Sequence, residues 1–381
     1  MKTVVQIGAG AIGRGFLGQL WCEGGYETVF VDVSETLVAE LNRRGSYPLR
    51  LITTNGETTR EIGPVRAIRA NDTDAVGDAL ASCTFAATAV GVRHLGNVAR
   101  SLILPAMRRR GHPLNVLLCE NGSGIRDSFL AGAGTEATGI HPVETVVGRM
   151  VPEAGRGESD PLTVSAESYR ELPFNRSQWH GDPPHIPGLI AVHGEQFHAY
   201  EMRKLFLHNG GHASLAYHGF SKGHHLISDC ARDETLVAEL RGFWAEVATA
   251  LRRSEHRDGA IFAPGVLEEF TEDLLHRFQN PLLGDTVARV GRDPLRKLAP
   301  GERLAGAAVF CQDHGVAPEY ASRAIAAALH FAPPEDTGAA ALRERVQAEG
   351  VRAAASGVTG IAPDSPIILR VVQGYESQTA N

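Results

Sequence analysis

Three side chains in the stretch RKLFLHNGGH, residues 203–212, are of the types that move a proton and hold an oxyanion. A lysine accepts a proton only where its surroundings stop it being an ordinary surface cation, and Lys204 is the candidate. Asn209 can hold a carbonyl or an oxyanion through its amide, and His212 can donate to a substrate hydroxyl. On an α-helix, at about 100° per residue, position 209 lies about 140° around from 204 and position 212 about 80°. One buried helix can therefore turn all three toward one cleft. Each also has a plainer explanation. A lysine early in a helix is usually solvated, an Asn before Gly-Gly often marks a kink, and a lone buried histidine is more often a satisfied core group.

Such a relay suits hydride transfer from a secondary alcohol, which needs a base for the hydroxyl proton and donors for the developing charge. The N-terminus supplies the complementary signal. Residues 3–7, TVVQI, form an apolar β-run that meets Gly8-Ala9-Gly10-Ala11-Ile12-Gly13 and then a helical pattern to about Cys22. Gly8 permits a tight turn, Gly10 lets the backbone approach a pyrophosphate, and Gly13 lets helix and strand pack closely. With Ile12, these are the expected phosphate-side positions. A second run, 28–31, ends at Asp32, 19 positions beyond Gly13. Its carboxylate would accept from the adenosine ribose hydroxyls and repel a 2′-phosphate, so NAD is expected rather than NADP. Thr88, Val90 and Gly91 close a later strand whose carboxyl end should lie beside the nicotinamide. Asn121 closes another, which makes it a candidate second donor at the same cleft.

The elements that must position these residues read as α/β followed by α. Further strands are expected at 65–68, 84–90 and 114–119, with helices at 74–81 and 94–110 between them. Ser34 is expected to cap a helix carrying Leu37, Val38 and Leu41. Strands alternating with helices predict a Rossmann-type, doubly wound parallel sheet over 1–195. Strand-like runs at 145–151 and 162–168 read as a sheet extension and a crossover. Over 196–381 the pattern is mainly α-helical, with amphipathic stretches at 236–252, 267–276, 304–314 and 318–327. A chain of 381 residues accommodates two such domains.

Composition excludes several classes. A formal charge of −7 and a pI near 6.1 argue against a nucleic-acid binder. No apolar run reaches the ~18 residues of a membrane span, and the N-terminus lacks a signal-peptide pattern. Five scattered cysteines without a CxxC pair read as reduced thiols of a cytoplasmic protein. His208 and His212, four apart, could share a zinc ion, but no HExxH and no third ligand is evident, so no metal is expected. The segment 290–297, VGRDPLRK, concentrates Arg292, Arg296 and Lys297, with Arg303 close behind. Such a run is usually a solvated surface, and alternatively an anion site.

Several stretches together resemble the polyol-specific long-chain dehydrogenase family, over nearly the full length. They are GAGAIGRGF (8–16), TAVG (88–91), CEN (119–121), DPL (160–162), IPG (186–188), RKLFLHNGGHA (203–213) and RFQNPLLGDTVARVGRDPLRKLAPGERL (277–304). The family's Lys-x4-Asn-x2-His signature is matched by Lys204, Asn209 and His212. The resemblance implies Lys204 as general base, Asn121 and Asn209 as oxyanion donors, and metal-independent catalysis with NAD. It also raises the anion-site reading of Arg292, Lys297, Arg296 and Arg303, as ligands of a sugar or polyol phosphate. The reaction implied is interconversion of D-mannitol 1-phosphate and D-fructose 6-phosphate by a monomer or weak homodimer. Gly122–Gly124, His141-Pro142 and the segment 180–198 depart from the phosphate-specific pattern. They keep open another polyol or cyclitol phosphate, or an unphosphorylated hexitol or hexuronate. A non-catalytic NAD sensor is the reading of a different kind.

Overall fold

The computed structural model describes residues 1–54, 56–152, 160–254 and 260–379. Two compact units follow one another along the chain, Met1–Phe197 and His198–Asn381. No helix among the described residues is long and apolar enough to cross a membrane.

In the first unit, six strands form one parallel sheet: β1 (Thr3–Ile7), β2 (Glu27–Asp32), β5 (Val65–Arg69), β6 (Phe85–Thr88), β7 (Leu114–Leu118) and β8 (Ile140–Glu144). Their spatial order is β5-β2-β1-β6-β7-β8, the doubly wound arrangement expected. Strands covered on both faces must be apolar on both, which is why VFV in β2 and VLL in β7 run without alternation. One face packs Val5, Val29, Leu80, Leu95, Val116 and Phe129 into a core. The other packs Val4, Phe16, Trp21, Phe85, Leu117 and Trp179.

The helices on the faces are α1 (Gly18–Glu23), α2 (Glu35–Arg44), α3 (Thr73–Ser82), α4 (Val92–Val98), α5 (Leu104–Met107) and α6 (Ile125–Ala133). Ser34 caps α2 by accepting from the Leu37 N–H at 3.3 Å, as its type predicts, and Gly45 ends that helix in the left-handed region. A second sheet joins β3 (Tyr47–Thr53) and β4 (Gly56–Ile62), antiparallel, to β9 (Val164–Glu167). A third pairs β10 (Leu172–Asn175) with β11 (Leu189–Val192).

Two sequence expectations need correction. The β3–β4 pair was not anticipated, because β4, GETTREI, is polar and exposed along most of its length. The strand expected at 145–151 is absent. The strand there is β8, five residues earlier, and Thr145 makes only an isolated bridge to Phe174. Pro142 masked β8 as a strand, yet a proline is tolerated at the sheet edge, where β8 lies.

The chain enters the second unit through α7 (Gly194–Met202). The remaining α-helices among the described residues are α8 (Gly211–Ser221), α9 (Ile227–Cys230), α10 (Glu234–Arg253), α11 (Val266–Phe278), α12 (Val287–Gly291), α13 (Pro294–Lys297), α14 (Ala305–Asp313), α15 (Glu319–His330), α16 (Thr337–Glu349), α17 (Val351–Thr359) and α18 (Pro366–Thr379). Helix α10 buries Leu236, Leu240, Phe243, Trp244, Val247 and Leu251, a stripe at three-to-four spacing, and packs on α8 and α15. Asp233 caps it, accepting from Thr235 N–H and Leu236 N–H at 3.0 and 3.2 Å.

Between α7 and α8 the helix does not keep its α register. Arg203–Gly210 is a π-helical segment, with hydrogen bonds running i→i+5. Tertiary packing accounts for it. The Trp244 indole N–H takes the Leu207 carbonyl at 2.8 Å. A side chain at Gly210 would press on the Arg303 carbonyl at 2.8 Å, and one at Gly211 would run into the Trp244 indole. The Gly-Gly pair is thus a close-packing device within a continuous helical run.

Candidate active site

The glycine loop of the first unit divides into residues the fold needs and one it does not. Gly8 has φ +95°, and a side chain there would meet the Ala89 carbonyl at 2.5 Å. A side chain at Gly13 would collide with the Gly8 carbonyl. Gly10 is exposed, and nothing lies within 4 Å of where its Cβ would be. The protein's own packing does not demand glycine there; close approach of a ligand to the backbone would.

Asp32 closes β2, with one carboxylate oxygen accepting from Ala9 N–H at 2.8 Å and the other from Ser34 N–H at 2.9 Å. These bonds fix the carboxylate beside the loop and leave each oxygen a further lone pair for ribose hydroxyls. Ile12, half-buried, lies in the helical turn that follows the loop. The residues present fit an adenine dinucleotide. Sequence reasoning overlooked Arg14, which is buried and donates to the Ala9 and Leu162 carbonyls at 2.7 and 2.5 Å, clamping the loop from below.

At the ends of β6 and β7, Glu120 was also overlooked. It is 4% exposed; it accepts from the Thr88 hydroxyl at 2.9 Å and from Val90 N–H at 3.0 Å. Burial pushes its carboxyl up to about 7, against the pull of those donors. Thr88, buried, therefore holds the strand ends together through Glu120, while Gly91 and Asn121 are exposed at those ends. The family motif around Asn121 was the only sequence signal that included Glu120.

In the second unit, the π segment carries the candidate relay. An i→i+5 register brings Asn209 round toward the side of the helix that carries Lys204, closer than the α-helical angle allows. Lys204 is half-buried, and desolvation pulls its ammonium down to about 7. The Arg303 charge adds to the shift and Glu302 opposes it. Glu302 in turn accepts from Arg303 Nε and Nη2 at 3.2 and 3.1 Å.

His212 follows in the first turn of α8. Its ring lies flat on Phe278, with centroids 4.5 Å apart and 12° between planes. Nε2 is buried without a hydrogen-bond partner among the described residues and lies 3.6 Å from Asp285 Oδ2. Asp285 is held on its other oxygen by Arg289. Burial lowers the imidazole well below its ordinary value, and Arg289, Lys297, Arg277 and Arg303 lower it further. The ring is neutral at pH 7.

The four expected substrate cations separate. Lys297 is 6% exposed, brought down to about 7 by burial and then by Arg303 and Arg296, and donates to the Arg292 carbonyl. Arg303 is largely covered. Arg292 and Arg296 are exposed, and Arg296 is paired with Asp293 at 3.1 Å. Asp293 has φ +58° and caps α13. The structure thus gathers Lys204, His212, Lys297 and Arg303 into one electrostatic neighbourhood and adds Arg277 and Arg289, which the sequence reading left out. Arg289 sits three positions before Arg292, and only its spacing from Asp285, one helical turn, hinted at a pair. His208, buried and likewise neutral, packs 6.0 Å from Phe278. Among the described residues no group of three or more His, Cys, Asp or Glu is arranged to hold a metal ion.

Comparison with known proteins gives the arrangement a family. Residues 2–188 match the mannitol dehydrogenase Rossmann domain and residues 196–367 the mannitol dehydrogenase C-terminal domain. The chain is 36% identical to mannitol-1-phosphate 5-dehydrogenase of Brevibacillus brevis over 375 residues, 95% of each chain. It is 37% identical to the enzyme of that name from an Arthrobacter species over 385 residues, 97% of each. Among solved structures, a substrate-free D-sorbitol dehydrogenase shares the fold with a TM-score of 0.77 at 17% identity, over 98% of this chain and 92% of that one. Mannitol 2-dehydrogenase of Pseudomonas fluorescens, solved with NAD and D-mannitol, gives 0.76 at 18% identity, over 99% and 92%. With both halves matched in order, the chain belongs to the mannitol dehydrogenase family.

Proposed function

We propose that the protein is an NAD-dependent dehydrogenase of polyol phosphates that interconverts D-mannitol 1-phosphate and D-fructose 6-phosphate. The observation that carries the reading is Lys204, a lysine brought to about 7 inside a π segment by burial and by the Arg303 charge. Lys204 Nζ takes the proton of the reacting hydroxyl. The Asn209 amide donates to the oxygen as charge develops, and the family resemblance enlists Asn121 as a second donor. NAD, held by the loop at Gly8, Gly10, Ile12 and Gly13 and by Asp32, supplies the hydride acceptor, with Val90 and Gly91 expected on its nicotinamide side. His212 orients a substrate hydroxyl.

Lys297 and Arg303, together with Arg277 and Arg289, favour an anionic substrate over a neutral hexitol, because their positive charges converge on His212 and arginine forks suit phosphate oxygens. Arg292 and Arg296 belong to the rim in this reading. Names carried by relatives at 36–37% identity support the substrate. We take the enzyme to act in the cytoplasm as a monomer or weak homodimer.

The test is a coupled assay with NADH against fructose 6-phosphate, fructose and a panel of other keto-sugar phosphates. Turnover of fructose 6-phosphate at least about a hundredfold above fructose in kcat/KM is expected. Preference for fructose, or for a different phosphate, overturns the substrate assignment.

A further inference from the structure

The geometry points to Asp285 as a positioning residue that joins Arg289 and His212 into one unit and fixes the imidazole as its Nε2–H tautomer, so that Nδ1 accepts a hydrogen bond from a substrate hydroxyl. The inference deepens the proposed polyol-phosphate reading and rests on it for the identity of that hydroxyl. It reverses the role that residue type alone suggests for His212, which is donation.

Asp285 is 8% exposed and sits just before α12. Its backbone carbonyl accepts from Ile227 N–H at 2.9 Å, which anchors the residue on a second segment of the unit. One carboxylate oxygen is taken by Arg289, one turn along the chain. The other faces His212 Nε2 at 3.6 Å, longer than a hydrogen bond and within the range of direct electrostatic contact. An imidazole lone pair pointed at that oxygen would be repelled, whereas an Nε2–H is attracted.

The ring is held in its plane. It is stacked on Phe278 at 12°, and its Nε2 is buried with no other partner among the described residues. It also cannot escape by becoming a cation, because burial and the charges of Arg289, Lys297, Arg277 and Arg303 hold it neutral. In a neutral imidazole with the proton on Nε2, Nδ1 is an acceptor and nothing else. An acceptor among so many cationic donors is scarce. It gives the site a means of reading a hydroxyl that can donate, and of rejecting an analogue without one.

Side-chain nitrogen spectra of protein labelled with 15N-histidine report the tautomer directly, with His212→Gln identifying the resonance. Wild type at pH 7 is expected to show His212 as Nε2–H. Asp285→Asn, nearly isosteric, is expected to shift that signal toward a mixture of tautomers and to lower kcat/KM by about tenfold, mainly through KM, with NADH affinity unchanged. A wild-type spectrum showing Nδ1–H or the imidazolium overturns the inference, as does Asp285→Asn with both tautomer and KM intact. If that variant fails to fold, the wild-type spectrum alone decides. The spectrum needs no substrate, so failure of the substrate assignment in the coupled assay is seen separately.

Discussion

The glycine loop of the first unit and the π segment of the second are both candidate ligand sites, and they are built in opposite ways. The loop is made of backbone. Its critical features are a positive φ at Gly8, a close approach at Gly13, and a carboxylate whose oxygens take the N–H groups of Ala9 and Ser34. Nearly every group there satisfies the fold and the ligand together. The site around the π segment is made of side chains held away from water, on the segment itself, on α8 and on α13. Lys204 and Lys297 are charged groups drawn down by burial, and His212 carries a buried nitrogen with no partner among the described residues. Where one set of atoms serves both purposes, damage to function is damage to stability. Where the groups are held against their solvation preference, function can be removed with little or no loss of stability.

The largest expected effect breaks the second half of this contrast. Lys204→Ala should lower kcat by about 10³-fold, in the range of a lost general base, while NADH binding stays nearly intact. Its thermal midpoint should equal or exceed that of wild type, since a desolvated ammonium is removed. Turnover within a few-fold of wild type would end the general-base role, and a large fall in melting temperature would end the contrast.

Next come the glycines. Gly13→Ala pushes a methyl into the Gly8 carbonyl and should destabilise by about 2–3 kcal/mol while weakening NADH binding at least about tenfold. Gly10→Ala meets nothing in the protein, so calorimetry should find stability unchanged while titration with NADH shows the same loss of affinity. Equal stability losses in the two variants would mean that the loop does not divide as described.

The pH dependence follows in size. Lys204 has its folded value lowered from 10.5 to about 7. Alcohol oxidation needs the free amine, so its kcat/KM should rise tenfold per pH unit below about 7 and level off above it. Carbonyl reduction needs the ammonium, so it should fall as pH rises past 7. The linkage has the matching sign. The unfolded chain binds this proton more tightly, so between pH 7 and 10.5 the penalty for holding a neutral lysine fades and its contribution to stability rises with pH. A pH profile in Lys204→Ala that keeps the same inflection would assign it elsewhere.

The smallest effects separate the cations. Lys297→Met should raise KM for the phosphate substrate about tenfold or more. Arg296→Ala, exposed and paired with Asp293, should change KM by less than about threefold. Comparable shifts in both would place the anion at the rim.

Particular residues explain how much of this was legible in the chain. The strand-loop-helix around Gly8–Gly13, with Asp32 beyond it, is encoded locally. A buried parallel strand must be apolar throughout, and only glycine suits positions 8 and 13. Lys204, Asn209 and His212 were legible as a set because one helical run carries them all. The β3–β4 pair was hidden by the polarity of β4, and β8 by Pro142, because in both cases the position of the strand in its sheet decides which residues it tolerates. Asp285 and Arg289 lie more than 70 residues beyond His212 in the chain, so no spacing rule connects them to it.

By itself the sequence determined the alternation of strands and helices around the glycine loop, the loop that suits a dinucleotide, and the residue types of the proton relay, because each depends on neighbours within a turn or a strand. Only the tertiary structure decided the register and the charge states. The π segment exists because Trp244 takes the Leu207 carbonyl and Gly210 packs on the Arg303 carbonyl. Lys204, Lys297 and His212 are chemically unusual because other helices remove their water and add like charge. Desolvation is a property of what surrounds a side chain, and those surroundings come together only when the chain has folded.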